Sequence, residues 1–368
     1  MKTLKIYNFK CFKHLELKNP GRLNLVTGRN SCGKTSLLEA IAIYLSGIYD
    51  SVIIDILFER GEIRKKDIQG RSHQDVKDIF SSFFYGRKSD FSEKDSIRII
   101  SDNTEMSLRF VYFFYDEKIN KTSEGETKIL QKKIISEQDL TKYSNEVLQG
   151  LEYSSGDKYE IIPLQSFLKK PHSNGNIKNK FIFYNKDTED LARLWDKIIL
   201  TDKEKIILEG LRIIEPQIEK LAFIESEQNS EGRYPVVRVS GDSRKIPLQS
   251  MGEGLNRILS ILLNIAGIES SPQEAGVLLI DEFENGLHYS IQKKLWEILF
   301  RIASEFNIQL FVTTHSNDTI KAFAEAMISN PQTDGRLYRL DNKLKKIVPF
   351  EFAREEIIEA AYGSINLR

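Results

Sequence analysis

Cysteine is scarce in this sequence, and long apolar runs are missing. Its 368 residues include two cysteines, Cys11 and Cys32. They lack the paired spacing of a zinc site or a disulfide framework, which fits a reducing compartment. No stretch approaches the ~18 uninterrupted apolar residues of a membrane span. The opening MKTLKIYNFKCF alternates polar and apolar residues, where a secretory leader would place a charged start and an apolar run. A cytoplasmic protein with no membrane contact is expected. An excess of either charge is absent too: Lys+Arg and Asp+Glu each number 53. No global basic field therefore advertises nucleic acid, and any such contact must be a local patch. There is no internal repeat. The composition, 40% hydrophobic and 10% aromatic, suffices for a sizeable core.

Leu4 and Ile6, then Leu15 and Leu17, recur at period two and predict a short edge pair of strands. LNLVTG reads as a buried strand, GRNSCGKT as a loop and SLLEAIAIYLSG as a helix, with Leu37, Leu38, Ile41 and Leu45 at helical spacing. Residues 50–115 mix helix and strand, with SIRIISD and MSLRFVYFFYD as an alternating pair. From Glu117 to Lys180 the composition shifts to Lys, Ser, Asn, Gly and Glu, with turns at SSGDK and PHSNGN, as in an inserted or mobile segment. EDLARLWDKIILTDKEKIILEGLRIIEPQIEKL predicts two amphipathic helices, broken near Thr201 and ended near Pro216. They suggest a short arm, because a coiled-coil rod needs heptads sustained over many turns. The acids Asp187, Glu189 and Asp190 begin it, where a helix N-terminus favours them.

Beyond the arm, RYPVVRVSG and KIPLQS read as short strands, GEGLNRILSILLNIAG as a helix and GVLLIDEF as a buried strand. SIQKKLWEILFRIASEF reads as a helix, IQLFVTTH as a strand and NDTIKAFAEAM as a helix. This alternation predicts a parallel, doubly wound α/β sheet. A hairpin, RLYRLDNKLKKIVPF, and a helix, REEIIEAAY, close the pattern. Three regions follow: an N-terminal lobe over 1–116, an insert and helical arm over 117–225, and a C-terminal lobe over 226–368.

Gly28-Arg29-Asn30-Ser31-Cys32-Gly33-Lys34-Thr35 matches GxxxxGK[ST] between an apolar strand and a helix, the context that motif requires. Its glycines permit a tight loop whose backbone N–H groups wrap phosphates. Gly28, Asn30, Ser31, Cys32, Gly33, Lys34, Thr35 and Ser36 are thus candidate ATP contacts. Lys34 reaches the β and γ oxygens, the Thr35 hydroxyl binds Mg²⁺, and the helix N-terminus adds positive potential. A bare glycine turn is the bland alternative, and the full spacing outweighs it. Cys32 reads as a small loop residue.

Val277-Leu278-Leu279-Ile280-Asp281-Glu282 is an apolar strand ending in adjacent carboxylates, at the edge where α/β sheets present ligands. Read as a Walker B strand, it has Asp281 holding Mg²⁺ and Glu282 polarising the attacking water. Phe311-Val312-Thr313-Thr314-His315 ends the next strand. His315 is therefore expected on the same edge as a switch histidine at the γ-phosphate, the alternative being a residue that merely flanks the cap-like Ser316 and Asn317. Ser250-Met251-Gly252-Glu253-Gly254 precedes a helix and resembles the ABC signature, an element used against the ATP of the other subunit. Ser250, Gly252 and Glu253 would then contact nucleotide in trans, across a head-to-tail dimer. Glu284-Asn285-Gly286-Leu287-His288 occupies the place of a D-loop, with His288 either crossing the interface or sitting in an ordinary turn. A Q-loop is not placed: Gln69 and Gln74 lie in an ambiguous stretch.

Together, NFKCFKHLEL, GRNSCGKTSLLEAI, PLQSMGEGLNRIL, LLIDEFENGLHYSIQKKLW and FVTTHSNDTIKAF resemble the OLD (overcoming lysogenisation defect) group of ABC-related, AAA-type ATPases. The resemblance implies a P-loop NTPase fold of ABC/SMC-head type, with a mixed doubly wound sheet, an N-terminal antiparallel sheet and a short helical arm. It turns Lys10 toward the phosphates or the adenine ring, whereas the residues alone make Lys10 a surface lysine on an edge strand. Many OLD proteins carry a C-terminal Toprim nuclease. About 50 residues follow His315 here, fewer than such a domain of ordinary size needs. A standalone ATPase acting on a separate Toprim-type nuclease or other effector in anti-phage defence is therefore expected. The competing reading is a DNA-binding or repair ATPase like RecF and SMC heads, kept open by Arg60, Arg64, Lys65 and Lys66. A transporter motor is the weakest, for want of a membrane segment.

Overall fold

The structure is a computed structural model that describes residues 1–47, 50–63, 73–87, 95–122, 125–143, 147–167, 179–182, 188–225, 232–268, 270–271, 274–343 and 346–362. The strands of its first half are β1 (Thr3–Phe9), β2 (Phe12–Lys18), β3 (Leu23–Thr27), β4 (Ser96–Ser101), β5 (Thr104–Thr122), β6 (Gly125–Ile135), β7 (Leu148–Ser155), β8 (Lys158–Pro163) and β9 (Asn179–Ile182). Those of its second half are β10 (Ile218–Glu225), β11 (Arg233–Val239), β12 (Ile246–Pro247), β13 (Gly276–Ile280), β14 (Ile308–Thr313), β15 (Gly335–Lys343) and β16 (Lys346–Phe352). The helices are α1 (Lys34–Ser46), α2 (Asp50–Glu59), α3 (His73–Ser81), α4 (Leu164–Phe167), α5 (Thr188–Ile198), α6 (Asp202–Leu211), α7 (Glu253–Ala266), α8 (Tyr289–Glu305), α9 (Asn317–Ser329) and α10 (Arg354–Ala361). The chain divides into two compact units. One holds Met1–Lys18, Glu39–Gly175 and Leu344–Ile347; the other holds Asn19–Leu38, Asn176–Lys343 and Val348–Arg368.

The first unit is built on a seven-stranded sheet ordered β2-β1-β4-β5-β7-β8, with β6 on β5. Leu4 faces Leu17 and Ile6 faces Leu15 across the antiparallel β1–β2 ladder, and all four are buried. The period-two pattern therefore marks the expected edge pair, and β4 and β5 continue the same sheet. The boundary drawn from composition at residues 116 and 117 falls inside β5, which continues to Thr122. Among the described residues, β7 pairs with β5 only as far as Phe113, and the rest of β5 pairs with β6 as a two-stranded ribbon. Such a ribbon has little face to bury, so its polar sequence reads like a loop. The SSGDK turn joins β7 to β8, whereas PHSNGN lies outside the described residues.

In the second unit, a six-stranded sheet runs in the order β16-β15-β3-β14-β13-β9, and β10-β11-β12 form a smaller one. Strands β15, β3, β14, β13 and β9 are mutually parallel. Every residue of β3, β13 and β14 is buried, which explains the apolar run of β13; the buried Asn24 of β3 and Gln309 of β14 donate to backbone carbonyls. The α/β architecture is thus the expected mixed, doubly wound sheet, accompanied by an N-terminal antiparallel sheet. The two helices broken at Thr201 are present as α5 and α6, but they are not an arm. Trp195, Ile198, Ile207 and Leu211 are buried in the main core, and both helices pack on α7. A Cβ at Gly210 would lie 2.0 Å from Leu262 Cδ1, so glycine there permits the close approach of α6 to α7. The expected second helix is also shorter: it ends at Leu211, and IEKL belongs to β10. An amphipathic stripe reports that one face is covered, but not what covers it.

Candidate nucleotide site

The P-loop joins the carboxyl end of β3 to the first turn of α1, within the second unit. Gly28 (φ 141°), Ser31 (φ 60°) and Gly33 (φ 91°) all have positive φ, so the loop winds through conformations that side chains disfavour. A Cβ on Gly28 would stand 2.5 Å from the Leu340 carbonyl oxygen and 2.7 Å from Cys32 Sγ, which makes glycine obligatory there. Asn30 and Ser31 are exposed and Ser36 is buried. Cys32 is buried under the loop, and burial pushes its thiol up, as suits an inert packing residue. Lys34 Nζ donates to the carbonyl oxygens of Gly28 (2.8 Å) and Arg29 (3.2 Å). Its ammonium is thus folded across the loop, where phosphate oxygens would compete for it.

Asp281 and Glu282 emerge from β13 beside that loop. The Thr35 hydroxyl donates to Asp281 Oδ2 at 2.8 Å, and the Thr313 hydroxyl donates to Asp281 Oδ1. Glu282 has φ 48°, a left-handed conformation costing about 1–3 kcal/mol unless its surroundings enforce it. They do. Its N–H donates to Thr313 Oγ1 at 2.9 Å, and the next N–H, of Phe283, donates to the Thr313 carbonyl at 3.0 Å. From α7, buried Arg257 donates through Nη2 to the carbonyls of Asp281 (3.0 Å) and Glu282 (3.3 Å). Below, the Phe283 ring stacks on Trp296 of α8 at 4.3 Å. The Glu282 side chain is exposed, and Asn285 Nδ2 donates to it. The arrangement fixes the backbone beneath an exposed carboxylate at the sheet edge.

His315 follows β14 at the same edge, as expected, with Nδ1 2.9 Å from Glu284 Oε1. Ser316 caps α9 by accepting from Thr319 N–H. The signature stretch forms a 3-10 turn, Leu248–Met251, before α7. Gly252 (φ 111°) is the N-cap of α7, and Ser250 and Glu253 are exposed. Ser250 Oγ donates to the Pro247 carbonyl at 2.7 Å. A Cβ on Gly286 would lie 3.2 Å from Glu253 Cγ, so the signature and the 284–288 turn adjoin within one chain. His288 caps α8 by accepting from Ser290 N–H, a sufficient local role for it.

Lys10 has another partner. Its ammonium bonds Glu39 Oε2 at 2.7 Å and lies over the rings of Phe9 and Phe83, so it is not a solvated edge lysine. Burial pushes it below its ordinary value, against the pull of Glu39. Arg60 bonds the other oxygen of Glu39 at 2.7 Å, so this member of the expected basic patch is paired. Arg64, Lys65, Lys66, Gln69 and Asp187 lie outside the described residues; Gln74 falls in α3, and Glu189 and Asp190 open α5. Thr313, Glu284 and Arg257 were missed by sequence reasoning. Thr313 and Glu284 sat unremarked within singled-out motifs, and the one signal for Arg257 was a cation in the apolar run LNRILSILL. Among the described residues, no helix is long and apolar enough to cross a membrane, and no group of three or more His, Cys, Asp or Glu is placed to hold a metal.

Fold and site together define a P-loop nucleoside triphosphatase. Residues 23–320 match the family described as "AAA domain, putative AbiEii toxin, Type IV TA system", and the chain belongs to that family. It is 24% identical over 351 residues to a Helicobacter pylori protein named ATP/GTP phosphatase, covering 87% of this chain and 86% of that one. It is 22% identical over 381 residues to the DNA replication and repair protein RecF of Clostridioides difficile, covering 89% and 95%. Among solved structures it is similar to an SMC head domain from Thermotoga maritima (12% identity, 96% and 98% covered, TM-score 0.41). It is also similar to an SmcHead bound to the C-winged helix domain of ScpA (13%, 97% and 99%, TM-score 0.49).

Proposed function

We propose that this protein hydrolyses ATP with Mg²⁺ at the P-loop, in a dimer that closes around nucleotide and regulates a separate effector. The observation that carries the reading is the bonded chain from Thr35 through Asp281 and Thr313 to the backbone of Glu282. Thr35 Oγ1 and Asp281 Oδ2, 2.8 Å apart, are hard oxygen donors. They fit Mg²⁺, which takes one or two protein oxygens beside phosphates and water. When bound, the ion neutralises charge on the β and γ oxygens. Lys34 exchanges its loop carbonyls for phosphate oxygens, the loop N–H groups bind the rest, and Glu282 orients the attacking water. The relative named ATP/GTP phosphatase supports hydrolysis and makes GTP the second nucleotide to assay.

Ser250, Gly252 and Glu253 then belong to the partner copy's nucleotide. Ser250→Arg should leave ATP binding intact and remove hydrolysis. Mixing it with a Lys34→Ala chain should restore one working site, and no recovery under proven mixing would count against a shared site. The OLD-like motifs, and a family description naming a toxin and a TA system, support a separate protein effector in anti-phage defence, with a Toprim-type nuclease as the specific candidate. The purified protein should cut neither plasmid, linear duplex nor RNA with ATP, Mg²⁺ and Mn²⁺, and cleavage should appear with the adjacent gene's product. Similarity to RecF favours a second reading, ATP-dependent binding of duplex DNA. Salt-dependent retention of duplex by the ATP-bound protein alone would favour it.

A further inference from the structure

Three acids follow the β13 strand end, and the second and third are held differently. Glu282 is exposed, with the Asn285 amide on its carboxylate. Glu284 is 11% exposed at its side chain and is engaged by the segment that leaves β14. Its Oε2 accepts the Thr314 hydroxyl at 2.7 Å, and its Oε1 accepts the His315 backbone N–H at 2.8 Å. That same Oε1 lies 2.9 Å from His315 Nδ1. The Thr314 hydroxyl in turn accepts from Ser316 N–H at 3.0 Å, so the carboxylate and the 314–316 backbone form one rigid unit.

A carboxylate only accepts and repels a bare lone pair at 2.9 Å, so this contact favours the ring form that carries its proton on Nδ1. That assignment decides what the opposite nitrogen can do. With Nδ1–H committed to Glu284, a neutral ring offers a bare lone pair at Nε2. A ring that donates from Nε2 to an anionic oxygen must hold both protons, and the adjacent carboxylate balances that charge. We infer that Glu284 is a positioning residue that fixes the tautomer and direction of His315, so that Nε2 is the nitrogen turned to the γ-phosphate. The inference rests on the proposed nucleotide site for the identity of the anion, but not for the tautomer. It also separates the two acids: Glu282 works on water, and Glu284 works through histidine.

The test joins a spectroscopic readout with kinetics. In protein carrying ¹⁵N-labelled histidine, with the His315 signal assigned by a His315→Gln variant, the neutral ring should show the proton on Nδ1. Glu284→Ala should shift it toward Nε2, whereas Glu284→Gln, whose amide oxygen still accepts, should keep it on Nδ1. Turnover should follow: kcat for ATP falls about 10–100-fold in the alanine variant with KM within about twofold, and the glutamine variant recovers most of it. Circular dichroism and binding of a non-hydrolysable ATP analogue check that each variant is folded. A parent ring protonated on Nε2, an alanine variant with unchanged tautomer and kcat, or equal losses in both variants would overturn the inference. A parent with the Nδ1 proton and no ATP or GTP hydrolysis would instead overturn the proposed function, and with it the γ-phosphate as the target of Nε2.

Discussion

The P-loop and the acidic end of β13 meet one requirement in opposite ways. Each must hold polar groups ready at the carboxyl edge of the second unit's sheet. The P-loop does this largely within itself: Lys34 bonds the carbonyls of Gly28 and Arg29, and the positive-φ residues lie inside the same eight-residue motif. Asp281, Glu282 and Glu284 are held from afar, by Thr35, Arg257, Thr313, Thr314 and His315. A device confined to one loop tolerates change elsewhere and fails as a whole. A distributed one degrades in steps, because each partner supplies a separate bond.

The largest effect should come from breaking the local half. Lys34→Ala should abolish ATP binding in calorimetry, whereas Glu282→Gln should bind ATP with parental affinity and lose about 10²–10⁴-fold in kcat. Parental turnover by the Gln variant would remove Glu282 as the acid acting on water.

A graded loss is expected from the distributed half. Arg257→Met keeps much of the side-chain volume and deprives the carbonyls of Asp281 and Glu282 of their donor, so Glu282 can relax from its left-handed conformation. Stability should fall by about 1–3 kcal/mol in denaturant titration. The kcat should fall about tenfold or more with KM unchanged. A rise in KM at unchanged kcat would break the comparison.

The smallest and sharpest contrast uses two glycines with positive φ. At Gly252 a Cβ meets nothing within 4 Å, so Gly252→Ala should cost about 1–3 kcal/mol of backbone strain and leave ATP binding at the chain's own P-loop intact. Gly28→Ala adds collisions with Leu340 and Cys32, and should lose nucleotide binding as well. Equal melting temperatures and equal ATP affinities for the two variants would show that the P-loop yields more readily than its contacts indicate.

What was legible in the sequence follows the same division. The β1 and β2 strands, the buried strands β3 and β13, strand β14, the P-loop and the cap at Ser316 are set by neighbours a few residues apart, through side-chain period or backbone geometry. Helices α5 and α6 were legible as helices but not in their placement, since a buried stripe looks the same on an arm and in a core. Strand β5 outran its apolar stretch because ladder bonds to β6 need no apolar side chains. Lys10 kept its place in the motif, but its partner Glu39, on α1, could not be inferred from it.

The sequence by itself determined the α/β alternation, the phosphate loop and the acids at a sheet edge, because each is specified by contiguous residues whose spacing is itself the geometry. Only the tertiary structure decided which acid faces solvent, which one holds His315, and that Arg257 clamps the backbone of Glu282. Those roles depend on bonds between residues 24 to 31 positions apart, which no local pattern encodes. They exist only once β13, β14 and α7 have packed into one core and brought their ends together.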